Sequence, residues 1–231
     1  MPRRFDLIVF DWDGTLMDSL ATIVACSRAV MRELELGDLL EPDIRRTIGL
    51  GLRESMELLV PGCDDALYAR ILQSYRKHWL ASYRDEPVLF EGVAGMLREL
   101  AGDGYLLAVA TGKGRRGLDH DLAQTCLTGV FHATRTVDEA FSKPHPKMLL
   151  DILDELGVKP GRAVMIGDTV YDLEMARSAG TAAVGVCSGS HCREDLERLQ
   201  PVACLETVVQ LREWLGSPTA SASPPATSPA P

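Results

Sequence analysis

The sequence predicts an α/β fold: an open, Rossmann-like parallel sheet flanked by helices, with an all-helical insertion. Three observations carry this. Short continuous apolar runs, LIVF (7–10), YLLAVA (105–110) and AVMIG (163–167), lead straight into Asp11, Thr111 and Asp168. Runs of this kind suit strands buried on both faces of a parallel sheet, and the amphipathic stretches between them supply the covering helices. Residues 19–83 break the alternation and hold no strand-like run of comparable strength.

Along the chain, LIVF is the first strand. Leu20, Ile23, Val24, Val30, Met31 and Leu34 then recur at helical spacing, as do Tyr68, Ile71, Leu72, Tyr75 and Trp79. This predicts a compact helical insertion, and YRDEPVLFEG (83–92) reads as the hinge that returns to the sheet. Val93, Leu97 and Leu100 mark a helix before the second strand. Met148, Leu149, Ile152, Leu153 and Leu156 mark another, stopped by Gly157. AVMIG follows as a strand, and TAAVGVC (181–187) fits the same pattern. Residues 217–231 contain only Ser, Pro, Thr and Ala; they cannot offset their ordering entropy and are expected to be disordered.

Composition bounds the function. The 231 residues are 46% hydrophobic and 25% charged, as in ordinary soluble globular proteins. A net charge of −9 argues against general affinity for nucleic acid or anionic membrane, so an anionic substrate would need a local cation. The chain shows no signal peptide and no run long enough to cross a bilayer. Cys26, Cys63, Cys126, Cys187, Cys192 and Cys204 are scattered without a C-x-x-C pair, which predicts reduced thiols in the cytoplasm, most of them small buried apolar residues.

In open α/β sheets, ligands bind beyond the carboxyl ends of the strands. If the three strong strands are neighbours, Asp11, Thr111 and Asp168 converge, with Asp13 just beyond Asp11 and Gly14 allowing a sharp turn. A helix starting near Thr169 would let Asp172 face the same pocket. A lone Asp at a strand end reads as a cap or turn residue, but three polar strand ends point to a shared site. Like charges there cost on the order of 4 kcal/mol per pair at an intermediate dielectric. Either some are protonated or a cation is bound, and a hard, oxygen-only donor set suits Mg²⁺. In FSKPHPKML, Pro144 biases Lys143 away from helix, so its ammonium can project toward the pocket. Lys147 reads as a surface residue. His145, between two prolines, reads as structural or solvent-facing.

These residues together resemble the haloacid dehalogenase superfamily of phosphotransferases. DWDGTLMDS (11–19) is similar to its first motif, VATGK ending at Lys113 to the second, SKPHP (142–146) to the third, and MIGDTVYDLEMARSAG (165–180) to the fourth. The branch resembled is that of phosphoglycolate phosphatase with a type-1 helical cap. The resemblance implies a catalytic core of residues 1–16 and 84–216 and a cap of 17–83, which the compositionally disordered tail of 217–231 follows. It implies Asp11 as nucleophile, Asp13 as acid and base, Thr111 and Gly112 as phosphoryl contacts, and Lys143 as charge neutraliser. Mg²⁺ would be held by Asp11, the Asp13 carbonyl and Asp168, with Asp172 supporting the metal shell or Lys143.

The expected activity is therefore Mg²⁺-dependent hydrolysis of a small phosphomonoester, with phosphoglycolate leading, by a cytoplasmic monomer or homodimer. Three rivals share the fold. A haloacid dehalogenase would need neither Asp13 nor Mg²⁺, a phosphosugar mutase would return the phosphoryl group to another hydroxyl, and a non-catalytic binding protein would not need the competent set. Specificity is expected in TIGLGLRES (47–55), where Gly49 and Gly51 admit close backbone approach and Arg53 either meets a substrate anion or is solvated.

Overall fold

The computed structural model describes residues 3–82 and 88–217. The first half of the expected hinge and nearly all of the expected tail lie outside the described residues. Six strands form one sheet: β1 Leu7–Phe10, β2 Leu106–Thr111, β3 Ala133–Thr136, β4 Ala163–Gly167, β5 Ala182–Val186 and β6 Ala203–Leu205. The order is β3-β2-β1-β4-β5-β6, and every neighbouring pair is parallel. The chain winds outward from β1 on one side and then returns to its other side, so the strand order reverses beside β1. That reversal opens a crevice at the carboxyl ends of β1, β2 and β4.

LIVF and AVMIG match β1 and β4 to the residue, because a strand in mid-sheet must be apolar on both faces. The edge strands β3 (ATRT) and β6 (ACL) carry no such run and escape a reading by apolar continuity. Side chains alternate across the sheet. Ile8, Phe10, Val109 and Ile166 face one core layer with Leu97, Leu100 and Trp214, while Leu7, Val9, Ala108 and Met165 face the other with Met148, Ile152 and Met175.

Four helices follow β1: α1 Leu20–Glu33, α2 Glu41–Thr47, α3 Leu52–Leu59 and α4 Asp65–Ser82. They pack around Val30, Met31, Met56, Val60 and Ile71, a cluster separate from both sheet layers. The remaining helices are α5 Val93–Gly102, α6 Arg115–Gln124, α7 Lys147–Leu156, α8 Val170–Ala179, α9 Arg193–Glu197 and α10 Leu211–Gly216. Both crossings between the four-helix segment and the sheet run side by side. Asp18 N donates to Val88 O at 2.8 Å and Phe90 N to Leu16 O at 3.1 Å, with Met17 bridged to Leu89.

One expectation is corrected. Only Cys26 is buried, Cys126 and Cys192 are exposed, and the other three are partly buried; all six are free thiols. Cys126 and Cys192 sit at helix boundaries, where a small side chain faces solvent. Among the described residues no helix is long and apolar enough to cross a membrane.

Candidate active site

Asp11 follows β1 directly, and its backbone N–H donates to Ile166 O at 2.9 Å, tying the residue to the end of β4. The chain then turns through Gly14 at φ +86°. A Cβ there would lie 2.5 Å from Asp168 Oδ2, so glycine is required twice over, by backbone conformation and by contact. Asp168 follows β4 directly, and its carboxylate accepts from Thr15 Oγ1 at 2.8 Å and from Ser190 N at 2.7 Å. Asp172 stands at the third position of α8 in a capping box. Its Oδ2 accepts from Thr169 N at 3.1 Å and from Thr169 Oγ1 at 2.7 Å.

The ammonium of Lys143 lies between two of these carboxylates, 2.6 Å from Asp11 Oδ1 and 2.7 Å from Asp172 Oδ1. Lys143 is only 1% exposed, which makes it one of the largest fully buried side chains in the protein. Burial works against its charge, but Asp11 and Asp172 overcome this and raise its pKa above the usual lysine range. Asp11 is pushed well above the ordinary carboxylate range by burial, with Asp172 and Asp168 adding to the effect and Lys143 opposing it. Burial, and then the charge of Asp172, lift Asp168 to about 6 against hydrogen bonds from Ser190 and Thr15.

The donor set fits a hard divalent cation. Asp11, Asp168 and Asp172 each bring a buried carboxylate oxygen within 4.8 Å of the others. Asp11 Oδ2 is buried with no hydrogen-bond partner among the described residues. A charged oxygen left in that state is costly unless a cation meets it. Asp172 Oδ2 belongs to the capping box and its Oδ1 lies 2.7 Å from Lys143 Nζ, so the residue is placed both to orient Lys143 and to add its charge to the cluster.

Asp13 lies at the mouth of the crevice. Ser19 Oγ donates to its Oδ1 at 2.7 Å, and Lys113 Nζ lies 3.0 and 3.2 Å from its two oxygens. Thr111 ends β2, is buried, and accepts from Lys113 N at 3.1 Å. These residues floor a cavity of about 620 Å³. Its roof is α1 and α4, which contribute Ile23, Leu72, Tyr75 and Trp79. The apolar stripe read on α4 serves both: Ile71 enters the helical core, Tyr68 and Tyr75 pack on that core and also line the cavity, and Leu72 and Trp79 line the cavity. A more open groove of about 840 Å³ between α2, α8 and α9 contains none of the carboxylate cluster.

The 48–51 loop between α2 and α3 lies directly on the sheet end. A Cβ on Gly112 would run into the carbonyl oxygens of Gly49 and Leu50, and Gly51 N donates to Ser142 Oγ at 2.8 Å. Arg53 borders the cavity from the start of α3. Its guanidinium is held by Glu57 at 2.9 Å and Asp65 at 2.6 Å and stacks over Tyr68 at 5.0 Å. Both of these hydrogen bonds lie within the helical segment. His145 is exposed and accepts from Lys147 N, as a structural residue would.

Sequence reasoning missed Lys113, Asp121, Ser19 and Ser190. Lys113 stood in the quoted TGK without a role. Ser190 lies just past the carboxyl end of β5, where the rule that found Asp168 also applies. Asp121 is an acid inside a polar helix and gave no signal.

The match to known proteins follows this geometry. Residues 8–186 match the family model for haloacid dehalogenase-like hydrolases. A probable phosphatase, IndB of Dickeya dadantii, is 34% identical over 87% of this chain and 89% of its own. A phosphoglycolate phosphatase of Nitrosococcus oceani is 27% identical over 93% and 98% of the two chains. The pyrophosphatase PpaX of Bacillus cereus is 28% identical over 90% and 95%. A solved structure from Bacteroides fragilis, named as a candidate haloacid dehalogenase-like hydrolase, superposes with a TM-score of 0.84 at 27% identity, covering 90% of this chain and 99% of that one. The chain belongs to the haloacid dehalogenase-like hydrolase family. Within that family it stands among proteins named as phosphatases.

Proposed function

We propose that this phosphatase hydrolyses a small phosphomonoester through an aspartyl-phosphate formed on Asp11, with a bound Mg²⁺. The observation that carries the reading is the buried Asp11 carboxylate, which has one oxygen paired with Lys143 and the other without a partner. A nucleophile must keep its charge while meeting a phosphate dianion. Lys143 supplies one counter-charge at that point, and Asp172 holds Lys143 in place. Mg²⁺, held by Asp11, the Asp13 carbonyl and Asp168, would supply the rest by drawing charge from the phosphoryl oxygens.

Asp11 attacks phosphorus, and Asp13 gives its proton to the leaving alcohol. Asp13 then takes a proton from the water that cleaves the aspartyl-phosphate, which restores both residues. Thr111 and the backbone at Gly112 hold phosphoryl oxygens. Residues 17–83 act as the cap over a core of 1–16 and 84–216, so that water is excluded during transfer.

Phosphoglycolate leads the substrate reading, supported by the name of the Nitrosococcus oceani relative. Arg76 and Arg116 border the cavity and provide positive charge for a second anionic group. The Bacillus cereus relative supports pyrophosphate as the second reading, and those same cations suit it. The protein is read as cytoplasmic, a monomer or homodimer, acting on a small molecule and not on nucleic acid or membrane, in keeping with its net charge of −9. The dehalogenase reading is disfavoured by Asp13 and the carboxylate cluster. The mutase reading predicts transfer to a second hydroxyl instead of release of inorganic phosphate.

The test is Asp11→Asn in Mg²⁺ buffer, with inorganic phosphate release followed from phosphoglycolate, pyrophosphate and 4-nitrophenyl phosphate. Turnover should vanish on all three while the unfolding transition stays cooperative. Acid-quenched wild-type protein should carry phosphate on Asp11. Retention of a substantial share of activity by the variant would refute the covalent mechanism.

A further inference from the structure

We infer that Lys113 is a positioning residue for the acid–base step: it fixes the plane of the Asp13 carboxylate toward the leaving oxygen. The inference rests on the acid role proposed for Asp13. A carboxylate at a cavity mouth rotates freely about its last bond unless both oxygens are held. Here they are held. Lys113 Nζ lies 3.0 Å from Oδ1 and 3.2 Å from Oδ2, and Ser19 Oγ donates to Oδ1 at 2.7 Å.

Lys113 is itself immobilised, which a long, flexible stem needs before it can position anything. Its side chain is only 8% exposed, and its ammonium lies 3.3 Å from Asp121 Oδ2. Asp121 is buried and accepts from Trp12 Nε1 at 3.0 Å. Burial pushes the Asp121 carboxyl up, and Lys113 opposes this. From the cap side, the ring of Trp79 stands 4.2 Å from the same ammonium. The anchor thus runs from Trp12, next to the nucleophile, through Asp121 and Lys113 to Asp13, and α4 covers it.

An ammonium has three N–H bonds, and three carboxylate oxygens lie within 3.3 Å of this one. Lys113 is therefore engaged with Asp13 and Asp121 and does not clamp the phosphoryl group, which has Lys143 for that purpose. When Asp13 carries its proton, one of the two bonds from Lys113 gives way and the other keeps the plane of the group, so the proton stays aimed at the leaving oxygen. An alkoxide cannot depart without that proton, whereas 4-nitrophenolate can.

The experiment is single-turnover kinetics with Mg²⁺-loaded enzyme in excess, following release of the alcohol from an alkyl phosphate and of 4-nitrophenol from 4-nitrophenyl phosphate. Lys113→Met should slow alcohol release about 100-fold, the range of a lost general acid, and leave 4-nitrophenol release nearly unchanged. Asp121→Asn, which loosens the anchor without touching Asp13, should show the same split in weaker form and serves if Lys113→Met folds poorly. Asp13→Asn is the control and should split most strongly. A split Asp13→Asn beside equal losses, or no loss, in both other variants would overturn the inference alone. An unsplit Asp13→Asn would overturn the acid role and the inference with it.

Discussion

Replacing Asp168 by Asn should make the metal-free protein more stable at neutral pH while weakening its response to Mg²⁺. In the native state burial and Asp172 lift Asp168 to about 6, against 3.8 for an ordinary aspartate. The sign follows from proton counts. Between pH 4 and 6 the folded protein binds more protons at this group than the unfolded chain, so stability is fully present below 3.8 and is lost as pH rises through about 6. At about 1.4 kcal/mol per pH unit, charging Asp168 costs roughly 3 kcal/mol at pH 7. Asparagine removes that cost. Its amide can still accept from Ser190 N and donate to Thr15 Oγ1, and the hydrogen bonds to the charged form are already included in the value of about 6. The gain is therefore about 3 kcal/mol, or roughly 6–12 °C in Tm for a chain of this size. The assay is thermal unfolding of both proteins in EDTA from pH 4 to 8, repeated with Mg²⁺. The variant's advantage should vanish near pH 4. At pH 7, Mg²⁺ at about 100 times its Kd should raise wild-type stability by about 2.7 kcal/mol and the variant by much less. A variant no more stable than wild type in EDTA at pH 7, with an equal Mg²⁺ response, would refute the account of this site.

Two further outcomes bear on the cap. Gly112→Ala places a methyl group against the carbonyls of Gly49 and Leu50, so the 48–51 loop must lift. kcat/KM should fall about 100-fold, the scale of a 1 Å misplacement, and Tm should fall as well because the overlap is with backbone; an unaltered kcat/KM would show that the loop need not seat on Gly112. Arg53→Ala breaks pairs with Glu57 and Asp65 that lie within the helical segment, so it should lower Tm slightly and affect charged and neutral esters alike. A loss confined to the charged ester would return Arg53 to the substrate.

The centre of this site is legible in one dimension because burial and charge conflict there. A central parallel strand has to be apolar, so Asp11 and Asp168 stand out at the ends of LIVF and AVMIG, and Pro144 sets Lys143 apart from the helix after it. The sheet interior, the helical character of 19–83 and the carboxylate cluster all follow from such local contrasts. Tertiary structure alone decided the rest. Lys113 meets Asp13 across 100 positions, and Asp121 meets Trp12 across 109; neither spacing leaves a period or motif. Arg53 shows the converse. Its position next to Gly51 at the start of α3 is legible, but the turn that brings Asp65 beside it lies outside any local pattern. Hydrophobic burial writes itself into sequence as periodicity, whereas the partner of a charge is chosen by which side chains the packed elements bring within hydrogen-bond reach.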